Sequence, residues 1–160
     1  MSWSLPWFTS LSDAVRACRR SISRVKPRRH CAAFSRIEAL EARLGVRFPV
    51  DYKDFLRWSN GWDGNFGETW LVLDDIDSVI DANDEGFREG FAGYVAIGGN
   101  GGLETYALDY RSGPEPAAVV AIDRVSADAD DIWRIAPSLT ESLARLLAEP
   151  SGPWDRPPSS

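Results

Sequence analysis

The sequence has very few of the residues on which most catalytic and metal sites depend. Among 160 residues there is one histidine, His30, and there are two cysteines, Cys18 and Cys31. Neither cysteine belongs to a Cys-x-x-Cys pair or has a histidine at zinc-ligand spacing, which argues against a zinc site. We expect no metal and no cofactor. A disulfide between the two cysteines stays open, although nothing in the sequence indicates an oxidising compartment.

Long apolar runs are also missing. No stretch of about 18 apolar residues occurs, so no transmembrane helix is expected. The first 20 residues, MSWSLPWFTSLSDAVRACRR, place their positive charges after the apolar residues and lack an obvious small-residue cleavage site. That order is not typical of a secretory signal. We therefore expect a cytoplasmic protein.

The glycine-rich stretch GGNGGLETYALDY, residues 98–110, does not fit a phosphate-binding loop. A dinucleotide fingerprint requires G-x-G-x-x-G before a helix. Here Glu104 follows Gly99-x-Gly101 where the third glycine is needed, and the next residues alternate with the period of a strand. A Walker loop requires a lysine, and none follows Lys53. The glycines predict a strand-to-strand connection with positive φ angles.

The sequence offers no recognisable catalytic group. The histidine and both cysteines lie in the basic N-terminal segment, away from the residues expected to form the domain. A carboxylate pair stays open in a chain with 24 acidic residues, but their number alone indicates no site. Asp81-x-Asn83-x-Glu85-Gly86 resembles the first half of a calcium loop, yet Ala92 stands where a bidentate glutamate is needed. We expect a protein that is not an enzyme.

Charge is divided unevenly along the chain. Residues 1–36 hold eight arginines or lysines and one acid, a net charge of +7, whereas the remainder holds ten basic and 23 acidic residues, a net charge of −13. An acidic body repels nucleic acid and attracts basic partners. We expect the main domain to bind no nucleic acid.

The composition divides the chain into three parts. Residues 1–33 form a basic appendage in which Leu11, Val15, Cys18, Ile22 and Val25 follow a helical period. This pattern is typical of an amphipathic helix for a membrane or partner, or of an arm packed on its own domain or a frayed tail, and we favour the latter two. Residues 34–148 are the expected domain, and the Pro/Ser-rich residues 149–160 are expected to be disordered.

Residues 34–148 predict an α+β domain with a small, mostly antiparallel sheet flanked by helices. Capping boxes at Ser35–Glu38 and Ser138–Glu141 predict two helix starts. Trp70 and Trp133 lie in apolar surroundings and are expected to pack in the core or at its rim. Helices are also predicted with Pro49 in the first turn and around 76–80, and strands at 69–73, 93–97, 105–110 and 117–122. The short links between strands favour antiparallel pairing.

Three segments together resemble one protein family. LGVRFPVDYKDFLRWSNG at 44–61 is similar to the Leu-Gly-x-x-Leu-Pro-x-Asp-Tyr-Lys-x-Phe-Leu…Asn-Gly signature of the SUKH superfamily. VAIGGNGGLETYALD at 95–109 and IAPSLTESLARLL at 135–147 resemble the family's second motif and closing helix, in the family's order. The pattern departs from the family at Asn100, where aspartate is common, and at Leu103, where a third glycine is frequent. Leu139 and Leu143 replace aromatic residues.

The resemblance implies a SUKH-like fold and a binding role without chemistry, because the family includes cell-wall assembly regulators and toxin-immunity proteins. We expect an immunity protein that blocks a cognate toxin, perhaps a basic nuclease; an intracellular regulatory scaffold is the alternative, and weak self-association stays open. The expected partner-binding residues are Trp62, Asp63, Glu68, Asp74, Asp75, Asp77, Asp81 and Glu104. The motif residues Gly45, Pro49, Asn60, Gly61, Gly98, Gly101 and Asp109 are assigned to the fold because they are turn formers and caps.

Overall fold

The fold was analysed in a computed structural model, which describes residues 31–66, 69–126 and 131–148. The predictions for residues 1–30 of the basic appendage and for the tail at 149–160 lie outside these ranges. The described residues form five helices and six strands. They are α1 (Phe34–Leu44), α2 (Val50–Trp58), β1 (Trp62–Phe66), β2 (Thr69–Leu73), α3 (Ile76–Ala82), α4 (Glu85–Gly90), β3 (Tyr94–Gly99), β4 (Glu104–Asp109), β5 (Val119–Asp123), β6 (Ile132–Ala136) and α5 (Leu139–Ala148).

The six strands form one open antiparallel sheet in the order β1-β2-β3-β4-β5-β6. Every neighbouring pair is also consecutive in sequence, so the sheet is a meander, as the short links predicted. The α+β class is confirmed. No helix in the described ranges is both long and apolar enough to cross a membrane.

The inner face of the sheet and helices α1, α2, α3 and α5 enclose the main core. The helical stripes predicted from apolar spacing are buried there, among them Ile37 and Leu40 of α1 and Tyr52 of α2. Leu139 and Leu143 bury one side of α5, so leucines fill the positions at which the family often has aromatic residues. Apolar burial on this face supplies most of the driving force for folding.

The outer face of the sheet is covered only in part. Tyr94, Ala107 and Val120 form a second, smaller apolar cluster, against which Phe87 and Phe91 pack from α4 and the residue that follows it. Helix α4 has six residues and was not predicted, because the sequence around it is dominated by acids and glycines. The chain therefore passes from the inner face at α3 to the outer face at α4.

The two predicted capping boxes differ from the observed helix starts. Helix α1 begins at Phe34, one residue before Ser35, and its N-cap residue Ala33 makes no side-chain cap. The prediction for this end is wrong because Ala32, buried and hydrogen-bonded to the Leu56 carbonyl, fixes where the extended chain turns into the helix. At α5 the Ser138 hydroxyl does accept the N–H of Glu141 at 3.1 Å.

The reciprocal half of the second capping box is absent at α5. The Glu141 carboxylate pairs with Arg145 at 2.6 Å instead of reaching back to the helix start. Asp51 of α2 adds a second capping bond at this end of α5, since its carboxylate accepts the Thr140 N–H at 2.9 Å. The start of α2 also differs slightly from the prediction, because Pro49 is the N-cap residue and Val50 opens the helix.

Strands β1 and β6 were not predicted. The β1 sequence WDGNF contains glycine and asparagine, which are rare in strands, although its burial alternates regularly. Trp62, Gly64 and Phe66 face inward, and Asp63 and Asn65 face outward. Tertiary packing of the two aromatic side chains thus overrides weak strand propensity.

The glycine-rich connection has two parts with different physical causes. Only Gly101 has a positive φ, 74°, and forms the turn as predicted. Gly98 and Gly99 belong to β3, where they pair with Leu73 and Val72, so the prediction of a positive-φ turn is wrong at these two residues. A Cβ on Gly98 would overlap the Val72 carbonyl oxygen. These two glycines are needed for close strand approach.

Strands β2 and β3 pair at two positions only, and an asparagine side chain replaces the missing partner further along β3. The side-chain oxygen of Asn83 accepts the N–H of Ala96 at 2.8 Å, and its amide nitrogen donates to the Ala96 carbonyl at 2.8 Å. The same nitrogen also donates to the Val79 carbonyl of α3 at 2.8 Å. The buried Asn83 amide therefore acts as one peptide group of a strand and fixes α3 to the edge of β3.

We expect Gly98→Ala to lower the free energy of unfolding by about 2–4 kcal/mol, because the added methyl group meets backbone that cannot move aside. Gly90→Ala is the matched control, since a Cβ at Gly90 meets nothing within 4 Å. Urea unfolding of both variants measures the difference. Equal stability of the two variants would contradict the close-approach explanation.

We expect Asn83→Ala to lower the free energy of unfolding by about 2–4 kcal/mol, because the Ala96 N–H and C=O then lose their side-chain partner in a buried position. Asn65→Ala, at an exposed position of β1, should change stability by no more than about 0.5 kcal/mol. Thermal and urea unfolding check both values. A loss at Asn83 no larger than at Asn65 would show that the amide is dispensable.

Candidate functional site

A groove of 560 Å³ lies between the outer face of the sheet and the α3–α4 segment. Its floor is made of small residues from β3, Ala96, Gly98 and Gly99, and its apolar wall includes Phe87 and Phe91. The groove exists because α4 covers the β3–β5 part of the sheet while residues without large side chains line the part beside it. The candidate site is this groove together with its rim.

Carboxylates surround the groove. Asp74 follows β2, Asp81 lies on α3, Asp84 precedes α4 and Glu104 opens β4, and all four line the cavity together with Arg124. They come from four separate elements that the fold brings together across 31 residues of sequence, from position 74 to position 104. The groove therefore combines an apolar floor with a predominantly negative rim.

Local hydrogen bonds orient two of these carboxylates. Asp84 is the N-cap of α4, and its side chain accepts the Phe87 N–H at 2.8 Å. Glu104 accepts the Asn100 amide at 3.1 Å, while the Asn100 oxygen accepts the N–H groups of Gly102 and Glu104. An aspartate at position 100 has no N–H to donate to Glu104. Asn100, which departs from the family pattern, therefore helps to orient the groove residue Glu104.

The structure divides the predicted partner-binding residues into two groups. Asp74, Asp81 and Glu104 line the groove. The others do not line it: Asp63 is exposed on β1, Asp75 caps α3 through the Ser78 N–H, and Asp77 pairs with Arg36 at 2.7 Å. Glu68 lies outside the described residues.

Trp62 does not occupy the surface position expected of a partner anchor. Its side chain is 9 % exposed and stacks on Trp58 with ring centroids 6.1 Å apart, within a row of core aromatic rings that continues to Phe66. Trp70, in contrast, is exposed although the sequence predicted that it would be packed. It is 50 % exposed on the outer side of β2, so its predicted packing in the core or rim is wrong.

The side chains with shifted pKa values lie away from the groove and serve the fold. Two hydrogen bonds from the Arg111 side chain, at 3.0 and 2.8 Å, hold the pKa of Asp109 below its ordinary value. Burial raises the pKa of the Tyr52 hydroxyl, and the nearby Asp74 carboxylate adds to the effect. Asp109 is 7 % exposed, in keeping with its assignment to the fold.

The geometry of the groove suits the binding of cationic groups. Within the described residues, no three His, Cys, Asp or Glu side chains converge closely enough to hold a metal ion. The groove carboxylates are therefore spread around a cavity and do not point at one centre. Carboxylates in this arrangement attract extended positively charged surfaces and form charge-assisted hydrogen bonds with arginine and lysine.

Sequence reasoning missed Asp84 and Arg124 as members of the site, and it expected Trp70 to be buried. Asp84 stands in the acidic run 74–85, and its position before Phe87 fits an N-cap, which is a signal that the sequence does contain. Trp70 alternates with Leu71 and Leu73, which are both buried, so strand parity places its side chain on the outer face. Arg124 gives no local signal, because only strand pairing brings it to the groove.

The comparisons with known proteins agree with this architecture. The pattern of the SMI1 / KNR4 family (SUKH-1) matches residues 32–145, from two residues before α1 to the last part of α5. No curated protein matches the chain. The matched stretch contains the whole sheet, every residue of the groove and the main core except Leu146 and the adjoining Leu147 at the end of α5. The chain therefore belongs to the SMI1 / KNR4 family (SUKH-1).

Proposed function

We propose that this chain is a non-catalytic immunity protein that neutralises a cognate bacterial toxin by binding it through the carboxylate-lined groove. The observation that carries the proposal is the groove itself, where four carboxylates from separate elements surround an apolar floor. The partner is a basic protein domain, and a toxin of the nuclease type fits because a domain that binds nucleic acid presents a cationic surface. Membership of the family supports a binding role.

The chemistry of the groove supports binding over catalysis. Its lining consists of acidic, apolar and glycine residues with Thr105 and Arg124, and holds neither histidine nor cysteine. A nucleophilic mechanism requires a base within hydrogen-bond reach of a nucleophile. Large protein partners instead require an open surface with complementary charge, which the groove offers.

Electrostatic attraction gives this mode of binding a kinetic signature. The residues from position 37 onward carry a net charge of −13, so a basic partner is attracted before contact. Complementary charges raise association rates toward 10⁸–10⁹ M⁻¹ s⁻¹ at low salt, and added salt screens the attraction beyond about 8–10 Å. Rapid capture suits an immunity protein, which must block its toxin before the toxin acts.

A regulatory scaffold is the second candidate function. The eight arginines or lysines within residues 1–36 favour it, because a basic segment beside an acidic domain suits a docking arm for another protein. Co-expression with the toxin domain encoded by a neighbouring gene separates the two candidates. Rescue of growth supports immunity, whereas lethality despite soluble expression, or the absence of any toxin gene nearby, favours the scaffold.

We expect the triple variant Asp81→Asn, Asp84→Asn, Glu104→Gln to associate with that toxin domain about 10-fold more slowly at low ionic strength. Asparagine keeps the cap of α4, and glutamine keeps an acceptor for Asn100, so the fold should persist. Stopped-flow fluorescence measures the rate, with urea unfolding as a check on stability.

The matched control removes the same number of charges outside the groove. It consists of Glu38→Gln, Asp54→Asn and Glu115→Gln, all at exposed positions. We expect the control to retain at least half of the wild-type rate, and high salt to narrow the difference between the two variants. Equal rates for the two triple variants at low ionic strength would remove the groove from the mechanism.

A further inference from the structure

Three of the exposed large apolar side chains lie at one end of the sheet. Trp70 is 50 % exposed, Leu103 64 % and Val125 68 %. A Cβ built on Gly101 would lie 3.1 Å from the Trp70 ring, so this ring sits over the β3–β4 turn. The Leu103 carbonyl accepts the Arg124 N–H at 3.0 Å, which brings the neighbouring Val125 to the same end. We call these three residues the tip patch.

The tip patch continues directly into the groove. Trp70 and Val72 lie on the same side of β2 because strand residues two apart share a face, and Val72 lines the groove. Gly101 beneath the Trp70 ring and Arg124 beside Val125 line it as well. Single exposed apolar residues are ordinary, but a group of them bordering a charged cavity is typical of an interaction surface.

We propose that the tip patch and the groove together form one docking surface for a protein segment that carries arginine or lysine next to apolar side chains. This inference rests on the proposed function and names the part of the partner that is recognised. Charge complementarity selects the segment: Asp81, Asp84 and Glu104 attract its basic groups. The Trp70 ring adds a cation–π surface for a guanidinium, and Leu103 and Val125 receive an apolar side chain.

Trp70 should contribute more to the binding free energy than any other residue of this surface. Tryptophan is enriched among the residues whose truncation costs most at protein interfaces, and such residues cluster near the centre of the interface. Leu103 should contribute less because a leucine buries less area and has no charge-binding face. We expect Trp70→Ala to weaken binding about 30-fold and Leu103→Ser about 5-fold.

The test uses the ¹⁵N-labelled full chain and a synthetic 12-residue peptide of alternating arginine and leucine with capped ends. Two matched peptides replace every arginine by glutamate or every leucine by serine. We expect the arginine–leucine peptide to shift the Trp70 indole signal and the amides of Leu103 and Glu104, the serine peptide to bind at least 5-fold more weakly, and the glutamate peptide not to bind.

Variants of the chain assign the binding to this surface. Val50→Ser is the control for Leu103→Ser, because Val50 is 72 % exposed at the start of α2 and lies outside the groove. Unchanged affinity of Trp70→Ala, shifts confined to other surfaces, or equal binding of the glutamate peptide would overturn the proposal. The last experiment measures the oligomeric state of the free protein by sedimentation. A dimer that Trp70→Ala dissociates would mean that a second copy covers the patch, and would also overturn it.

The toxin assay distinguishes failure of this inference from failure of the proposed function. If the Trp70→Ala, Leu103→Ser double variant binds and neutralises the toxin as well as wild type, the tip patch is not the docking surface and the immunity role stands. If the toxin fails to bind wild type while the arginine–leucine peptide binds at the patch, the immunity role fails and the docking surface stands.

Discussion

The site depends on one constraint, the early separation of β2 from β3. The two strands pair only at Val72–Gly99 and Leu73–Gly98, and one further bond joins the Asp74 N–H to the Ile97 carbonyl. The absence of a side chain on Gly98 allows the β2 backbone to approach, and its absence on Gly99 allows the approach of Glu104 from β4. Beyond that point the edge of β3 would be left with unpaired backbone groups in a buried position, which is costly. Asn83 removes this cost by bonding both backbone groups of Ala96 with its side-chain amide. After β2 the chain can therefore leave the sheet and form α3, because the Asn83 side chain supplies the hydrogen bonds that β3 needs on this side.

The groove follows from this separation. Because Asn83 ends α3 against the edge of β3, the next residues cross from the inner to the outer face and begin α4 with Asp84 as its cap. Phe87 and Phe91 then pack on the outer apolar cluster. The cavity left between α4 and the glycine-containing part of β3 lies beside this outer cluster. The Asn83 contacts that close the edge of the sheet therefore also position the start of the groove wall.

The sequence allowed the local structure to be predicted better than the site. Buried helical stripes and the Gly45 stop, with φ of 70°, follow from the periodicity and turn chemistry of neighbouring residues. The role of Asn83 depends on a residue 13 positions away, and no local pattern encodes such a contact. Acidic residues were identified as binding candidates by charge alone, but which of them meet is decided by long-range pairing, which brings Asp81 and Glu104 to one cavity. Trp70 shows that the sequence contains one further signal, the alternation of side chains along a strand. Leu71 and Leu73 occupy the inner side of β2, so alternation alone already assigns Trp70 to the outer side.

The two sets of residues in this domain carry different energetic loads. Gly98, Asn83 and Asp109 lie in buried or closely approached backbone, and any change there acts on the whole fold. Trp70, Leu103 and Asp81 are exposed, and substitutions at exposed positions usually alter stability by no more than about 0.5 kcal/mol. Substitutions at exposed residues such as Trp70, Leu103 and Asp81 can therefore change which partner is bound. The residues Gly98, Asn83 and Asp109 meanwhile keep the sheet, the helix crossing and the groove in place. This separation means that binding specificity can be altered one rim residue at a time without a loss of folding.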